Sequence, residues 1–317
     1  MLLAIQPGAI GDFILALPAL RALRLGPGSG GMEIWAERAN LPLVEHTAYA
    51  DRVRPLAETG LDRYPLPAAA LDTIRVFQQV VSWRGAGFDE LRQQVLAAQP
   101  RACFLPQFPP ADAAIHMIDF RRRQLAGLLA GQPDALEALS AAPQIFFAPE
   151  DAPAAARLLG EEEEPRPLVV LHPGSSGRRK RWPAAGFAAL ARDAARDWQA
   201  RVLITEGPLD RQAVAEVLSL AAGSGAAPLW VANLRHLAAV LRRARLFAGN
   251  DSGIAHLSAA AGAPTLAIFQ ATDPRLWAPR GRAVHVLYRP SIDEARQALH
   301  QAIGPQPHSR LREGCRL

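Results

Sequence analysis

Twice along this chain a short apolar run breaks off into a glycine-rich loop and a helical pattern follows at once. Leu2 to Gln6 ends in PGAIGD and leads into Phe13 to Leu25, while Leu168 to His172 ends in PGSS and leads into Pro183 to Arg196. A short strand that feeds a helix through a tight loop, and then does so again, specifies parallel strands joined by crossover helices. Met32 to Ala36, Arg52 to Leu56 and Ala102 to Leu105 extend the first series, and Val76 to Trp83 reads as a further strand or else as the end of a helix, the strand being preferred; helices are expected near Leu41 to Thr47, over Asp89 to Ala98 and over His116 to Leu129. The second series adds strands at Val202 to Thr205, Leu229 to Val231, Leu246 to Ala248, Thr265 to Phe269 and Val284 to Leu287. Its helices are expected at Asp210 to Ala221, Leu234 to Arg243, Ile254 to Ala261 and Ile292 to Ile303.

The fold class is therefore α/β, with two Rossmann-like doubly wound domains. At 317 residues the chain has room for both, placed here at 1–150 and 151–317. Pro143 to Pro167 reads as the link, its run Glu161 to Glu164 as a solvated acidic loop, and the tail from Gly304 to Leu317 as frayed. Ligands of such sheets bind outside the carboxyl ends of the strands, so two facing domains imply a site in a central cleft.

Charge narrows the ligand class. Thirty-five basic and 30 acidic residues leave a formal charge of +5. That excess suits nucleotides, phosphorylated sugars or membrane headgroups and is too small to demand nucleic acid. Cys103 and Cys315 have no metal-type spacing, so neither a disulfide framework nor a zinc site is expected, and a reducing cytoplasm is the default. The apolar N-terminus is broken by Pro7, Gly8, Gly11 and Asp12, unlike a signal peptide, and no stretch approaches the roughly 20 apolar residues of a membrane span. A soluble or membrane-peripheral protein is expected.

Four strand-end loops carry polar groups. In GAIGD, Gly8 and Gly11 let the backbone approach a ligand, and Asp12 at the helix start either caps that helix or serves as a general base. In HPGSSGRRKRWP, Ser175 and Ser176 stand before Arg178, Arg179, Lys180 and Arg181, a combination of hydroxyls, backbone N–H groups and cations that cradles phosphate. TEGPLD brings Glu206 and Asp210 to a strand end, where a carboxylate takes ribose hydroxyls or caps the next helix. In GNDSGIAH, Asp251, Ser252 and Gly253 open a helix whose free N–H groups suit a diphosphate. Asp251 would repel phosphate directly, so it caps the helix or fixes the loop, with Ser252 and His256 nearer the ligand.

These segments, GAIGDFILALPALRAL, HPGSSGRRKRWP and GNDSGIAHLSAAAGAPTLAIFQATDP in that order, resemble glycosyltransferase family 9, whose best-known members are ADP-heptose lipopolysaccharide heptosyltransferases. The resemblance is strongest from Leu168 to Pro279 and weakest between Arg38 and Pro143. It implies a GT-B fold with the donor on the second half, the acceptor on the first, and a last helix, Ile292 to Ile303, that crosses back to the first domain. It implies Asp12 as base, Lys180 on the donor diphosphate, and Asp251, Ser252, Gly253 and His256 against the nucleotide. The acidic residue that meets the ribose falls on Asp210 or Glu206. His116 matches an acceptor-side histidine, and Ser82 to Gly87 matches a variable loop facing the acceptor. Arg121, Arg122 and Arg123 suit anionic acceptor groups or lipid, although a solvated helix face is the simpler expectation.

The implied reaction is inverting transfer of a sugar, heptose from ADP-heptose by default, to a saccharide such as the lipopolysaccharide inner core or a lipid-linked acceptor. No Asp-x-Asp occurs in the sequence, which fits a transferase that needs neither metal nor cofactor. The alternatives are another nucleotide-sugar donor, a non-catalytic nucleotide-sugar binder, or an NAD-dependent oxidoreductase. The glycine spacing of GAIGD, which is not GxGxxG, argues against the last.

Overall fold

A computed structural model describes residues 1–26, 30–160 and 166–304. The acidic run 161–164, part of the GPGSGG loop, and the tail with Cys315 lie outside the described residues. The chain divides into two compact units, Met1–Pro149 with Asn233–Arg235, and Glu150–Ala232 with the chain from His236 onward.

The first unit runs β1 (Leu2–Gln6), α1 (Ile10–Leu25), β2 (Met32–Ala36), β3 (Arg52–Pro55), α2 (Ala68–Arg75), β4 (Gln79–Ser82), α3 (Asp89–Ala98), β5 (Ala102–Phe104), α4 (Met117–Ala126) and α5 (Pro133–Ser140). Its sheet has the order β3-β2-β1-β4-β5, with every pairing parallel. The order reverses between β1 and β4, so the loops after these two strands flank the crevice where such sheets take ligands. Helix α1 is apolar on nearly all sides, with Phe13 to Leu20, Ala22 and Leu23 buried, and it packs on α4 and α5. On the sheet, Leu3, Ile5, Trp35, Phe77 and Val80 form a core in which the Trp35 and Phe77 rings meet edge-on at 6.1 Å. Glu33 is buried in β2 and is neutralised by Arg52 at 3.2 Å and Arg54 at 3.4 Å on the neighbouring strand.

The second unit opens with α6 (Asp151–Leu159) and continues β6 (Leu168–His172), α7 (Ala184–Trp198), β7 (Arg201–Glu206), α8 (Arg211–Leu220), β8 (Ala227–Trp230), α9 (Leu234–Arg242), β9 (Leu246–Asn250), α10 (Gly253–Ala260), β10 (Thr265–Phe269), α11 (Pro274–Trp277), β11 (Val284–Tyr288) and α12 (Ile292–Ile303). Its parallel sheet has the order β11-β10-β9-β6-β7-β8 and reverses between β6 and β9. Strands β6, β9 and β10 are buried throughout, as expected of a parallel sheet covered on both faces. Val169, Leu171, Phe187, Leu190, Ile204 and Leu299 sit in its core. Among the described residues no helix is long and apolar enough to cross a membrane.

Two local expectations are corrected. Part of the supposed link is helix α6, whose Pro153 lies in the first turn, where a missing N–H costs nothing. The helix expected near Leu41 to Thr47 is a 3-10 segment at Arg38–Leu43 that contains Pro42. Helix α12 packs on α7 of its own unit. Ala295, Leu299 and Ile303 enter that core, Arg296 bonds Asp193 at 2.6 Å, and Trp198 Nε1 donates to the Gly304 carbonyl at 3.0 Å.

Candidate functional site

In the first unit Gly8 lies in the loop after β1, with Gly11 and Asp12 just beyond it at the start of α1. Gly8 has φ of +115°, and a Cβ there would stand 2.9 Å from Gln107 Nε2 and 3.2 Å from Asp12 Oδ2. Only glycine leaves room for both at that turn. Asn40 Nδ2 donates to the Gly8 carbonyl at 3.1 Å and steadies the loop. Ala9 is the residue at the cap position, and Gly11 and Asp12 lie in the first turn of α1. Asp12 is therefore not the N-cap; its carboxylate sits at the positive end of the helix dipole.

Arg121 departs from the solvated face expected for residues 121–123. It is 1% exposed, with its guanidinium carbon 4.9 Å from the centre of the Trp83 ring. Among the described residues its guanidinium nitrogens have no hydrogen-bond partner. Burial pulls its pKa down to about 10, and the negative charge of Asp12 acts in the opposite direction. Arg122 is half-buried beside Asp119 at 3.4 Å, and Arg123 is exposed. His116 is the N-cap of α4: its Nδ1 accepts the Ile118 N–H at 3.2 Å, so that nitrogen is unprotonated.

In the second unit the loops after β6 and β9 lie together at the reversal point. Lys180 Nζ is 2.8 Å from Asp251 Oδ2, and the Thr272 hydroxyl donates to the same carboxylate oxygen. Ser175 Oγ donates to the Asp251 carbonyl at 2.8 Å, while Ser176 is exposed. Ser252, rather than Asp251, caps α10: its side chain accepts from the Ala255 N–H, and Gly253 begins the helix. His256 is buried on the first turn of α10. Asp251 thus fixes the loop, holding the lysine beside a helix N-terminus without presenting a bare carboxylate to it.

The loop after β7 adds Glu206 and Asp210. Asp210 precedes α8 but makes no side-chain cap; its Oδ2 accepts the Gly207 N–H at 3.2 Å and lies 4.0 Å from His172 Nε2. Burial holds the His172 imidazole below its usual pKa, with Asp210 acting the other way, and its Nδ1 lies 2.9 Å from Thr205 Oγ1. Asp210 is thereby occupied in bracing two loops. Glu206, at the end of β7 and 3.6 Å from Arg211, is the more open carboxylate, with 20% of its side chain exposed. Among the described residues no group of three or more His, Cys, Asp or Glu is placed to hold a metal ion.

The sequence reading missed Asn250, Thr272, His172 and the buried Arg121. One signal for this site was available in the composition: Lys180 is the only lysine among 35 basic residues. Arginine elsewhere and lysine here mark a place where a compact ammonium differs from a planar guanidinium.

Comparison with known proteins gives the family. The model of glycosyltransferase family 9 (heptosyltransferase) matches residues 120–301. Lipopolysaccharide heptosyltransferase 3 of Escherichia coli is 34% identical over 115 residues, covering 35% of this chain and 33% of that protein. Lipopolysaccharide heptosyltransferase 1 of Pseudomonas aeruginosa is 38% identical over 122 residues, covering 38% of this chain and 33% of its own. The matched segments thus span about a third of the length of these curated relatives. The solved structure of E. coli ADP-heptose lipopolysaccharide heptosyltransferase II superposes with a TM-score of 0.74 at 16% identity, covering 95% of this chain and 98% of that one, a likeness of fold. With the family model covering more than half of its residues, the chain belongs to glycosyltransferase family 9.

Proposed function

We propose that this protein transfers a sugar from a nucleotide-diphosphate donor to a saccharide acceptor by a single inverting displacement. The donor is ADP-heptose, the sugar nucleotide after which the E. coli structural neighbour is named. One observation carries the reading: Lys180, the sole lysine, stands 2.8 Å from Asp251 beside the N-terminus of α10. A cation and free helix N–H groups together suit a diphosphate.

In this reading the acceptor oxygen forms a bond to the anomeric carbon as the bond to the diphosphate breaks, and Asp12 takes the acceptor's proton. The transition state has oxocarbenium character. Negative charge accumulates on the departing nucleotide, where Lys180, Ser176 and the amides opening α10 offset it. Ser175 has already committed its hydroxyl proton to Asp251 and braces the loop instead. Glu206 takes the ribose hydroxyls. Gly8 and Gly11 form the acceptor-side turn, with His116 holding the start of the helix that carries Arg121. We assign the positive charge that offsets the leaving group to Lys180 rather than to a divalent cation. Activity unchanged in EDTA checks that assignment. A cytoplasmic or membrane-peripheral location follows from the donor class.

The deciding experiment is calorimetric titration with ADP followed by turnover of ADP-heptose. Loss of a general base costs about 10²–10⁴-fold in rate, so Asp12→Ala should bind ADP normally and turn over at least about a hundredfold more slowly. Lys180→Ala should also bind ADP more weakly, to a Kd that calorimetry still reads. Wild-type turnover in Asp12→Ala, or ADP binding indifferent to Lys180, would overturn the respective assignment.

A further inference from the structure

We propose that Asn250 is a positioning residue for the donor loop, and that its one carboxamide ties both stems of the segment Pro173 to Trp182. The inference rests on the reading that this segment holds the donor diphosphate.

Asn250 is the last residue of β9 and is 0% exposed. Its Oδ1 accepts the Trp182 N–H at 2.9 Å and its Nδ2 donates to the Pro173 carbonyl at 2.8 Å. These partners are the two ends of the loop that carries Ser175 and Lys180. The strand supplies a fixed anchor, because the next residue's N–H, that of Asp251, donates to Ile268 of β10 at 2.8 Å. Between the stems, Ser175 donates to the Asp251 carbonyl and Lys180 reaches the Asp251 carboxylate, so the loop is pinned at four points to Asn250 and Asp251.

The chemistry explains why this position is an amide. The two stems present one donor and one acceptor to the same buried spot. Only a side chain with both groups on one short carbon satisfies them, and each lost partner would leave a buried polar group without compensation. Closing the stems fixes where Lys180 can stand before any ligand arrives. A preorganised lysine loses little further freedom on binding, which is where affinity for a diphosphate is gained. Asn250 acts through Lys180 and touches no substrate itself.

The test is a double-mutant cycle read by calorimetry with ADP and with inorganic pyrophosphate. Asn250→Ala should weaken both ligands by about tenfold, within the coupling expected for residues in one network. In the Lys180→Ala background the same change should cost less than about threefold. Equal losses in both backgrounds, or no loss at all, would overturn the proposal, because Asn250 would then support the unit without acting on the lysine. If Lys180→Ala alone leaves ADP binding untouched, the donor-site reading fails instead, and the two failures are distinct. Should Asn250→Ala not fold, Asn250→Asp keeps the shape and the acceptor for Trp182 but removes the donor to Pro173. There the readout is acylation of Lys180, followed by peptide mass spectrometry and unambiguous because the chain has no other lysine. ADP should shield Lys180 in the wild type and about tenfold less effectively in Asn250→Asp. Wild-type shielding in that variant, or collapse of both variants, would assign Asn250 to the core alone.

Discussion

Gly174→Ala tests whether the loops after β6 and β7 are braced by Asp210. A Cβ at position 174 would lie 2.2 Å from Asp210 Cγ, 2.2 Å from Oδ1 and 2.6 Å from Oδ2. Ordinary carbon contacts begin near 3.5 Å, so the carboxylate must retreat by more than about 1 Å. It has little freedom to do so, because Oδ2 accepts the Gly207 N–H at 3.2 Å and His172 Nε2 stands 4.0 Å away. Overpacking of this kind costs roughly 1–3 kcal/mol, and we take about 2 kcal/mol as the central value. At roughly 2–4 °C per kcal/mol for a unit of this size, Tm should fall by about 4–8 °C. Asp210→Ala alone loses one hydrogen bond, about 1 kcal/mol. In the double variant the three atoms nearest the alanine methyl at 174 are gone, so its penalty should shrink by at least about 1 kcal/mol. Urea unfolding of the four proteins reads the cycle directly. A Gly174→Ala penalty that is the same with and without the Asp210 carboxylate would refute the bracing, as would no penalty at all.

Arg121→Ala should destabilise the first unit by about 2–4 kcal/mol, since it empties a buried volume beside Trp83. Arg121→Met, which keeps the volume and removes a buried charge, should stay within about 1 kcal/mol of wild type. Equal losses in thermal melts would show that filling the space is not what the side chain does for stability. Asp193 gives a pH prediction. Burial pushes its carboxyl up, but the hydrogen bonds and charges of Arg296 and Arg196 outweigh that and hold it below the ordinary carboxylate range. A depressed folded-state pKa means stability that is present above the unfolded value near 4 and lost as the pH falls below it. Melting temperature should therefore drop between about pH 5 and pH 3 in the wild type, and drop less steeply in Asp193→Asn.

Much of the architecture was legible because parallel sheets advertise themselves locally. Buried strands such as LLAIQ and LVVLH read as unbroken apolar runs, and the glycine-bearing loops mark where each strand hands over to a helix. Boundaries slipped where proline has two meanings. Pro153 looked like a linker residue and sits in a helix's first turn, while Pro42 looked compatible with a helix and lies in a 3-10 segment. The loops that hold the candidate donor site were also visible, since small, hydroxyl and cationic residues after a strand have few other uses.

Roles within those loops were less legible. Asp12, Asp210 and Asp251 are all aspartates at helix starts, and sequence spacing treats them alike. The structure separates them: one stands in a first turn near a buried arginine, one braces a neighbouring loop, and one holds the lysine. The sequence by itself determined the two parallel sheets, their loop chemistry and the family, because those follow from unbroken apolar runs, a helical period of 3.6 and short motifs. Only the tertiary structure decided that Arg121 is buried, that Ser252 takes the cap, and that Asn250 joins stems as far as 77 residues away in the chain. Those pairings arise when crossover helices bring β6 and β9 side by side. Local pattern carries no record of which distant donor will meet which acceptor across that seam.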